Sequence, residues 1–118
     1  MAVSPSFRAY VLEQLDGVRQ VTDRRMFGGI GLYAAEVFFG VLDNDTLFFK
    51  VNDETRPRYE QHGMPPFAPM PGQAPMRGYY QVPASVLEDA GQLTSWATEA
   101  IAVGATAPAK KRTKRSRA

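Results

Sequence analysis

The sequence lacks cysteine and has a single histidine, His62. Without cysteine the chain has no disulfide, no thiolate metal site and no cysteine nucleophile. One histidine excludes a multi-histidine metal site within one chain and the paired histidines of an H-E-x-x-H helix. No apolar run approaches the roughly 18 residues that span a bilayer, and residues 1–10 lack the apolar stretch of a signal peptide. These absences favour a cytoplasmic protein with no metal, no cofactor and no membrane contact.

Positive charge is concentrated at one end of the chain. The formal net charge is +2, but six of the 14 basic residues lie within residues 108–118, which contain no acid. Residues 1–107 therefore carry eight bases against 12 acids, a net charge of −4. The length of 118 residues and the hydrophobic content of 44% suit one small domain. We predict a folded domain over residues 1–104 and a disordered basic tail over residues 105–118.

Helix signals occur near both ends of the domain and once in the middle. Ser4 before Pro5 predicts a capped helix start, because proline at the first helical position needs no N–H partner. A short helix is expected at about residues 54–62. A third helix should begin at the capping box formed by Ser85 and Glu88 and continue with an apolar stripe.

Short apolar runs predict three or four strands between residues 20 and 51, and a last short strand at residues 79–82. No helix separates the first runs, so we expect antiparallel pairing rather than βαβ crossovers. Residues 64–78, which are rich in proline and methionine, are predicted to form an irregular loop. The fold class is therefore α+β, in the order α-β-β-β(-β)-α-β-α, with a largely antiparallel sheet of about four or five strands.

Six short segments, all in register, resemble one known family. Residues 25–33 (RMFGGIGLY) are similar to the signature R-M-F-G-G-x-G-L-Y of the TfoX/Sxy N-terminal domain. Residues 47–51 (LFFKV) are similar to the family's L-Y-x-K-V, with Phe where Tyr is commoner. Further similarities follow in the same order at residues 37–40, 66–67, 79–83 and 87–89. The resemblance covers about residues 7–103.

This resemblance implies an α+β fold of the secretion-chaperone-like kind and a role linked to regulation of natural competence and DNA transformation. Proteins of the family are thought to act as coactivators beside a cyclic-AMP receptor-type transcription factor. We therefore expect a non-enzymatic regulatory or adaptor protein whose partner is a protein, with a transcription factor as the first candidate. The expected contact surface comprises the glycine hairpin and the Pro/Met loop, namely Arg25, Met26, Phe27, Gly28, Gly29, Gly31, Tyr33, Phe67, Met70 and Met76.

The glycine-rich segment does not predict a phosphate-binding loop. A dinucleotide-binding loop needs a helix directly after its glycines, whereas a strand is expected after Gly28 and Gly29. A hairpin turn or bulge accounts for these glycines, because they accept positive φ without a Cβ clash. No G-x-S-x-G elbow and no complete EF-hand loop occur in the sequence, so no motif selects an enzymatic reaction.

The basic tail predicts non-specific contact with DNA. A Lys/Arg-rich arm binds the phosphate backbone and releases counterions, and it does not distinguish base edges. The residues concerned are Lys110, Lys111, Arg112, Lys114, Arg115 and Arg117.

Two alternatives remain open from the sequence. In the first, the domain itself binds nucleic acid: Arg24, Arg25 and Lys50 assist the tail, and aromatic strand residues stack on bases. It requires these three basic residues to lie on one face. In the second, the protein is a small enzyme or ligand-binding protein with a pocket between sheet and loop, lined by Tyr33, Tyr80, Arg25 and Glu88.

Overall fold

Four helices and six strands make up the described part of the chain, which in this computed structural model comprises residues 3–26, 28–68 and 72–117, with side chains described as far as residue 106. Their order is α1 (Pro5–Gln14), β1 (Val21–Met26), β2 (Gly29–Ala34), β3 (Val37–Asp43), β4 (Thr46–Lys50), α2 (Arg56–Gln61), β5 (Pro66–Phe67), β6 (Met76–Gln81), α3 (Ala84–Leu87) and α4 (Ala90–Arg117). The predicted start of α1 is confirmed, because the Ser4 hydroxyl accepts a hydrogen bond from the Phe7 amide at 3.2 Å.

The strands form one sheet in the order β1-β2-β3-β4-β6-β5, and every neighbouring pair is antiparallel. This confirms the α+β class and the antiparallel pairing. The sheet has six strands instead of four or five, because the Pro/Met loop contributes β5 at the sheet edge. Pro66 is compatible with that place, since an edge strand can leave one side of its backbone without ladder hydrogen bonds.

One face of the sheet packs against all four helices. Phe39 and Phe49 lie in this core, where their ring centroids are 5.7 Å apart. The helices contribute Val11 and Leu15 from α1, Tyr59 from α2, Val86 from α3, and Leu93, Trp96, Ala97 and Ala100 from α4. Alternation along each strand therefore places every second side chain on the opposite face of the sheet.

A bulge in β3 shifts this alternation by one residue. Leu32 lies opposite Gly40, whereas Tyr33 lies opposite Phe38, so Phe39 has no partner of its own in the ladder with β2. Gly40 lies opposite the core residues Leu32 and Phe49, and the extra residue Phe39 also lies in the core, so Phe38 lies on the other face. A single extra residue in one strand is the defining feature of a β-bulge.

The capping box predicted at Ser85 and Glu88 is wrong. The short helix α3 has Pro83 at its N-cap position and no side-chain cap, and a new helix, α4, begins at Ala90. The Asp89 carboxylate caps α4 by accepting a hydrogen bond from the Gln92 amide at 3.1 Å. Aspartate is a better N-cap than most residues, so the chain breaks and restarts here instead of forming one long helix.

The backbone of α4 is helical as far as Arg117. This differs from the predicted disordered tail, which begins at residue 105. Ala, Lys and Arg favour a helix in this segment, whereas Pro108 opposes it because proline removes a backbone hydrogen bond. The side chains of residues 107–118 lie outside the described part of the structure. The division into a domain over residues 1–104 and a separate tail stays a prediction.

Candidate functional site

A second apolar cluster lies on the sheet face opposite the helices. Val41, Phe48 and Phe67 form its buried centre, and Phe38 and Tyr79 pack against them. The helical residues of the two clusters all belong to the first, so among the described residues no helix contributes to this second cluster. We call the surface formed by Tyr33, Phe38, Phe48, Phe67 and Tyr79 the aromatic face.

The five rings of the aromatic face form a continuous row. Ring centroids are separated by 5.2 Å between Tyr33 and Phe38, 5.8 Å between Phe38 and Tyr79, 6.4 Å between Tyr79 and Phe67, and 4.7 Å between Phe67 and Phe48. All four separations fall within the range of favourable aromatic pairs. Phe48 and Phe67 are 9% exposed, whereas the residues that carry the other three rings are half-buried.

Two cations flank this row. The Arg24 guanidinium carbon lies 4.8 Å from the centroid of the Tyr33 ring, and the Lys50 ammonium lies 4.7 Å from that of Tyr79. Lys50 also donates a hydrogen bond to the Tyr79 hydroxyl oxygen at 3.1 Å. Each pair is in the range of a cation–π interaction. The aromatic face therefore combines apolar rings with positive charge at two of its edges.

The glycine-rich hairpin divides its residues between two surfaces. Met26, Gly31 and Tyr33 belong to the aromatic face: a Cβ on Gly31 would lie 2.5 Å from the Met26 sulfur and 3.3 Å from the Tyr33 ring. Arg25 and Gly28 line a cavity on the helical side instead. This division follows from the alternation of strands, because neighbouring residues of one strand face opposite ways.

The cavity on the helical side has a volume of about 270 Å³ and lies between α1 and the β1–β2 hairpin. We call it the α1–hairpin cavity. Arg8 and Arg25 line it together with the backbone of Gly28 and Gly29. The Arg8 Nε donates a hydrogen bond to the Asp23 carboxylate at 2.5 Å, so one of the two arginines is already paired.

Comparison with known proteins identifies the family. The model of the TfoX N-terminal domain matches residues 13–104, which include every strand of the sheet. The chain belongs to this family. A search of curated proteins finds no match. Among the described helices, none is long and apolar enough to cross a membrane.

Most residues expected at the contact surface of this TfoX N-terminal domain have a defined place. Tyr33, Met26, Gly31 and Phe67 meet at the aromatic face, and Met76 in β6 is 46% exposed. Arg25, Gly28 and Gly29 line the α1–hairpin cavity. Phe27 and Met70 lie outside the described residues, and so do the side chains of Lys110, Lys111, Arg112, Lys114, Arg115 and Arg117.

The residues proposed for an enzyme or ligand pocket are not brought together. Tyr33 lies on the aromatic face, whereas Tyr80 is 1% exposed in the core on the other face. Burial, followed by its hydrogen bond to the Glu60 carboxylate at 3.0 Å, raises the pKa of Tyr80. Arg25 lines the cavity beside α1, and Glu88 follows α3. This pocket is therefore a wrong prediction, since the two tyrosines occupy alternate positions relative to the sheet plane.

The remaining candidates for a metal site are His62 and the acidic residues of the described chain. His62 donates from Nδ1 to the Arg58 carbonyl oxygen at 2.9 Å, as expected for a histidine at a helix end. Within the described residues, no three His, Asp or Glu side chains are placed to bind one metal ion.

Sequence reasoning missed parts of both surfaces. Phe38 and Tyr79 were recognised only as aromatic strand residues, because the bulge that sets the face of Phe38 leaves no signal in the periodicity. Val3 and Arg8 were missed in the α1–hairpin cavity, since helix docking on a distant hairpin is a tertiary event.

Proposed function

We propose that this TfoX N-terminal domain is a non-enzymatic regulatory adaptor that binds a protein partner through its aromatic face. The observation that carries the proposal is the continuous row of rings in a cluster to which no described helix contributes. Aromatic residues are enriched in protein–protein interfaces and among the residues that dominate their binding energy. The family resemblance makes a cytoplasmic transcription factor of the cyclic-AMP receptor type the first partner to test.

The chemistry of the aromatic face also describes the surface that would complement it. Tyr33 and Tyr79 combine a large apolar ring with a hydroxyl group, which suits the edge of an interface that is dry at its centre. Arg24 and Lys50 flank these tyrosines, so acidic side chains at the rim of the partner would increase the association rate.

The test compares two tyrosine substitutions in binding measurements with the purified transcription factor. Tyr33→Ala removes a ring from the aromatic face, whereas Tyr10→Ala removes a tyrosine that is 37% exposed on α1. We expect Tyr33→Ala to weaken binding at least tenfold, the effect of losing about 1.4 kcal/mol of binding free energy, and Tyr10→Ala to change it little. Circular dichroism of both variants checks that the fold is intact.

Two results would contradict the adaptor proposal at this surface. Equal affinities for both tyrosine variants would show that the partner docks elsewhere. The second result has two parts. If the wild-type chain does not bind the transcription factor, and no protein captured from native lysate distinguishes the two variants, the proposal of a protein partner at this surface is wrong.

A second candidate is direct binding of single-stranded nucleic acid by the same face. The specific observation is that Arg24 and Lys50 lie beside Tyr33 and Tyr79, since aromatic rings can stack on bases while cations contact phosphates. Arg25 does not share this face, so only two of the three expected basic residues support this function.

Fluorescence anisotropy with a labelled single-stranded oligonucleotide tests the second candidate. Lys50→Gln should weaken binding, and the matched control Arg19→Gln, at an exposed position before β1, should not. Equal affinities of the two variants would rule out nucleic-acid contact at the aromatic face. The basic residues after position 109 are the remaining source of DNA affinity in our proposal.

A further inference from the structure

We propose that the α1–hairpin cavity binds a small carboxylic acid with a short apolar body. This inference concerns a different surface from the aromatic face and does not depend on the proposed protein partner. It assigns a ligand class to the side of the hairpin on which Arg25 and the glycine turn lie.

The walls of the cavity provide the apolar half of the site. Val3, Pro5 and Leu12 contribute from the α1 side, and Ile30 contributes from β2. Val3 and Leu12 are half-buried and pack against the core, so the apolar wall continues from the protein interior. An alkyl group placed against these side chains would be removed from water, which is favourable in proportion to the apolar area buried.

Arg25 provides the charged half of the site. Its side chain is exposed at the cavity and has no hydrogen-bond or ion-pair partner among the described residues, whereas Arg8 is paired with Asp23. Two further carboxylates lie near the cavity, and both have interactions of their own. The Asp43 Oδ1 is 3.6 Å from the place of a Cβ on Gly29, and the Asp45 carboxylate accepts a hydrogen bond from the Ser4 amide at 2.7 Å. Arg25 is therefore the cation available to a ligand, and its planar guanidinium suits a carboxylate.

The glycine turn leaves the charged end of the cavity accessible. Gly28 and Gly29 line the cavity with backbone atoms only, and Gly28 has a φ of 81°, which glycine adopts without strain. A Cβ on Gly28 would meet no atom within 4 Å, so the space beside the turn is open. A ligand carboxylate can approach the backbone here more closely than it could beside any larger residue.

The size of the cavity limits the ligand. Its volume of about 270 Å³ equals that of about nine water molecules at ~30 Å³ each. This lies just below the usual range of pockets for drug-sized ligands, so the cavity favours a smaller ligand. A straight-chain acid of about six carbons matches both the volume and the combination of apolar walls with one cation.

The test is a titration of the ¹⁵N-labelled full chain followed by NMR, with hexanoate as the probe. Hexan-1-ol has the same apolar body without charge, and inorganic phosphate has charge without the apolar body. We expect millimolar binding of hexanoate, with shifts at the amides of Gly28, Gly29 and Ile30, and binding at least tenfold weaker for the other two compounds. Because one charge-assisted contact is lost, Arg25→Gln should weaken hexanoate binding about tenfold, and the control Arg19→Gln should leave it unchanged.

A second variant tests the cavity without removing a charge. Ala9 is an exposed residue of α1 that lines the cavity, so Ala9→Phe fills the space without disturbing the core. It should abolish hexanoate binding while the rest of the spectrum stays folded. The proposal is overturned if hexan-1-ol or phosphate binds as well as hexanoate, if Arg25→Gln behaves like Arg19→Gln, if Ala9→Phe still binds, or if hexanoate causes no shifts.

Discussion

Gly29 and Gly31 lie two residues apart in β2, yet a side chain would meet different obstacles at each. A Cβ on Gly29 would lie 2.5 Å from the Leu42 carbonyl oxygen, which is backbone and cannot turn away. A Cβ on Gly31 would lie 2.5 Å from the Met26 sulfur, the far end of a flexible side chain. We therefore expect Gly29→Ala to cost about 1–3 kcal/mol of unfolding free energy and Gly31→Ala clearly less.

Urea denaturation of both glycine variants measures this difference. Each variant serves as the control for the other, since both add one methyl group to the same strand. Equal losses would contradict the close approach of Gly29 to β3, and a larger loss for Gly31→Ala would reverse the order that the structure predicts.

Substitution of Asp89 tests whether this residue, and not Ser85 as the sequence pattern predicts, caps a helix. Hydrogen bonds from Gln92, first from its amide N–H and then from its side chain, lower the pKa of Asp89. Asp89→Ala should therefore lower the urea midpoint at neutral pH, because α4 loses its cap. Ser85→Ala should not, since the Ser85 side chain caps no helix.

The pH dependence of the Asp89 effect has a definite sign. A carboxyl group with a lowered folded pKa contributes stability in full above its unfolded pKa, about 4, and loses it as the pH falls through the folded value. The difference between wild type and Asp89→Ala should thus shrink in acid. A difference that is constant down to pH 2 would rule out a charged cap.

At the scale of the element, strand β3 contributes neighbouring phenylalanines to the two faces of the sheet. Phe39 is fully buried in the core beneath the helices, whereas its neighbour Phe38 belongs to the aromatic face. We expect Phe39→Ala to cost about 3–5 kcal/mol and Phe38→Ala clearly less, because only the first leaves a cavity in the core. For partner binding we expect the opposite order. Phe38→Ala should weaken binding although the protein stays stably folded.

Thermal or urea unfolding of both variants, together with the binding measurement, checks this prediction. Similar losses of stability for the two variants would contradict the placement of Phe39 in the core and of Phe38 on the opposite face.

The elements also show what the sequence could and could not predict. Strands β2 to β4 were predictable because each is a largely apolar run, and β1, a mixed run with three charged residues, was predictable from the glycines that follow it. Strand β5 was not, since Pro66 and Phe67 are too short to show a period and pair only through the tertiary fold. The start of α4 was assigned to the wrong cap because both Ser85 and Asp89 precede a suitable third residue, and local pattern alone does not choose between them.

The candidate surfaces were predictable in composition but not in arrangement. The hairpin signature pointed to Arg25, Gly31 and Tyr33, and the structure then distributes them over two faces. Strand alternation explains this separation once the register is known. The flanking positions of Arg24 and Lys50 depend on which strands are neighbours in the sheet, and strand order is not a local property of the sequence.

At the scale of the whole molecule, the sheet separates two kinds of surface. The helices bury one face and leave the α1–hairpin cavity at its edge, while the opposite face keeps its aromatic row. The first surface suits a small ligand and the second a macromolecule. Variants of Arg25 and Tyr33 should therefore affect different binding partners, and either surface can be altered without loss of the other.

Charge is distributed over the whole chain just as unevenly, and this determines how the protein should respond to DNA. Residues 1–107 carry a net charge of −4, whereas residues 108–118 contain six bases and no acid.

If all six bases meet phosphates, the logarithm of the binding constant for a random DNA duplex should fall with the logarithm of salt concentration at a slope of about 5. Replacing the six with glutamine in the full chain should abolish binding at near-physiological salt, since the acidic remainder is repelled by the duplex. Fluorescence anisotropy across a salt series measures both values. The control variant carries glutamine at Arg19, Arg24, Arg25 and Lys50, basic residues that form no ion pair among the described residues. If the variant without the six bases kept the wild-type slope while the control lost it, the folded domain would be the DNA-binding part in spite of its negative net charge.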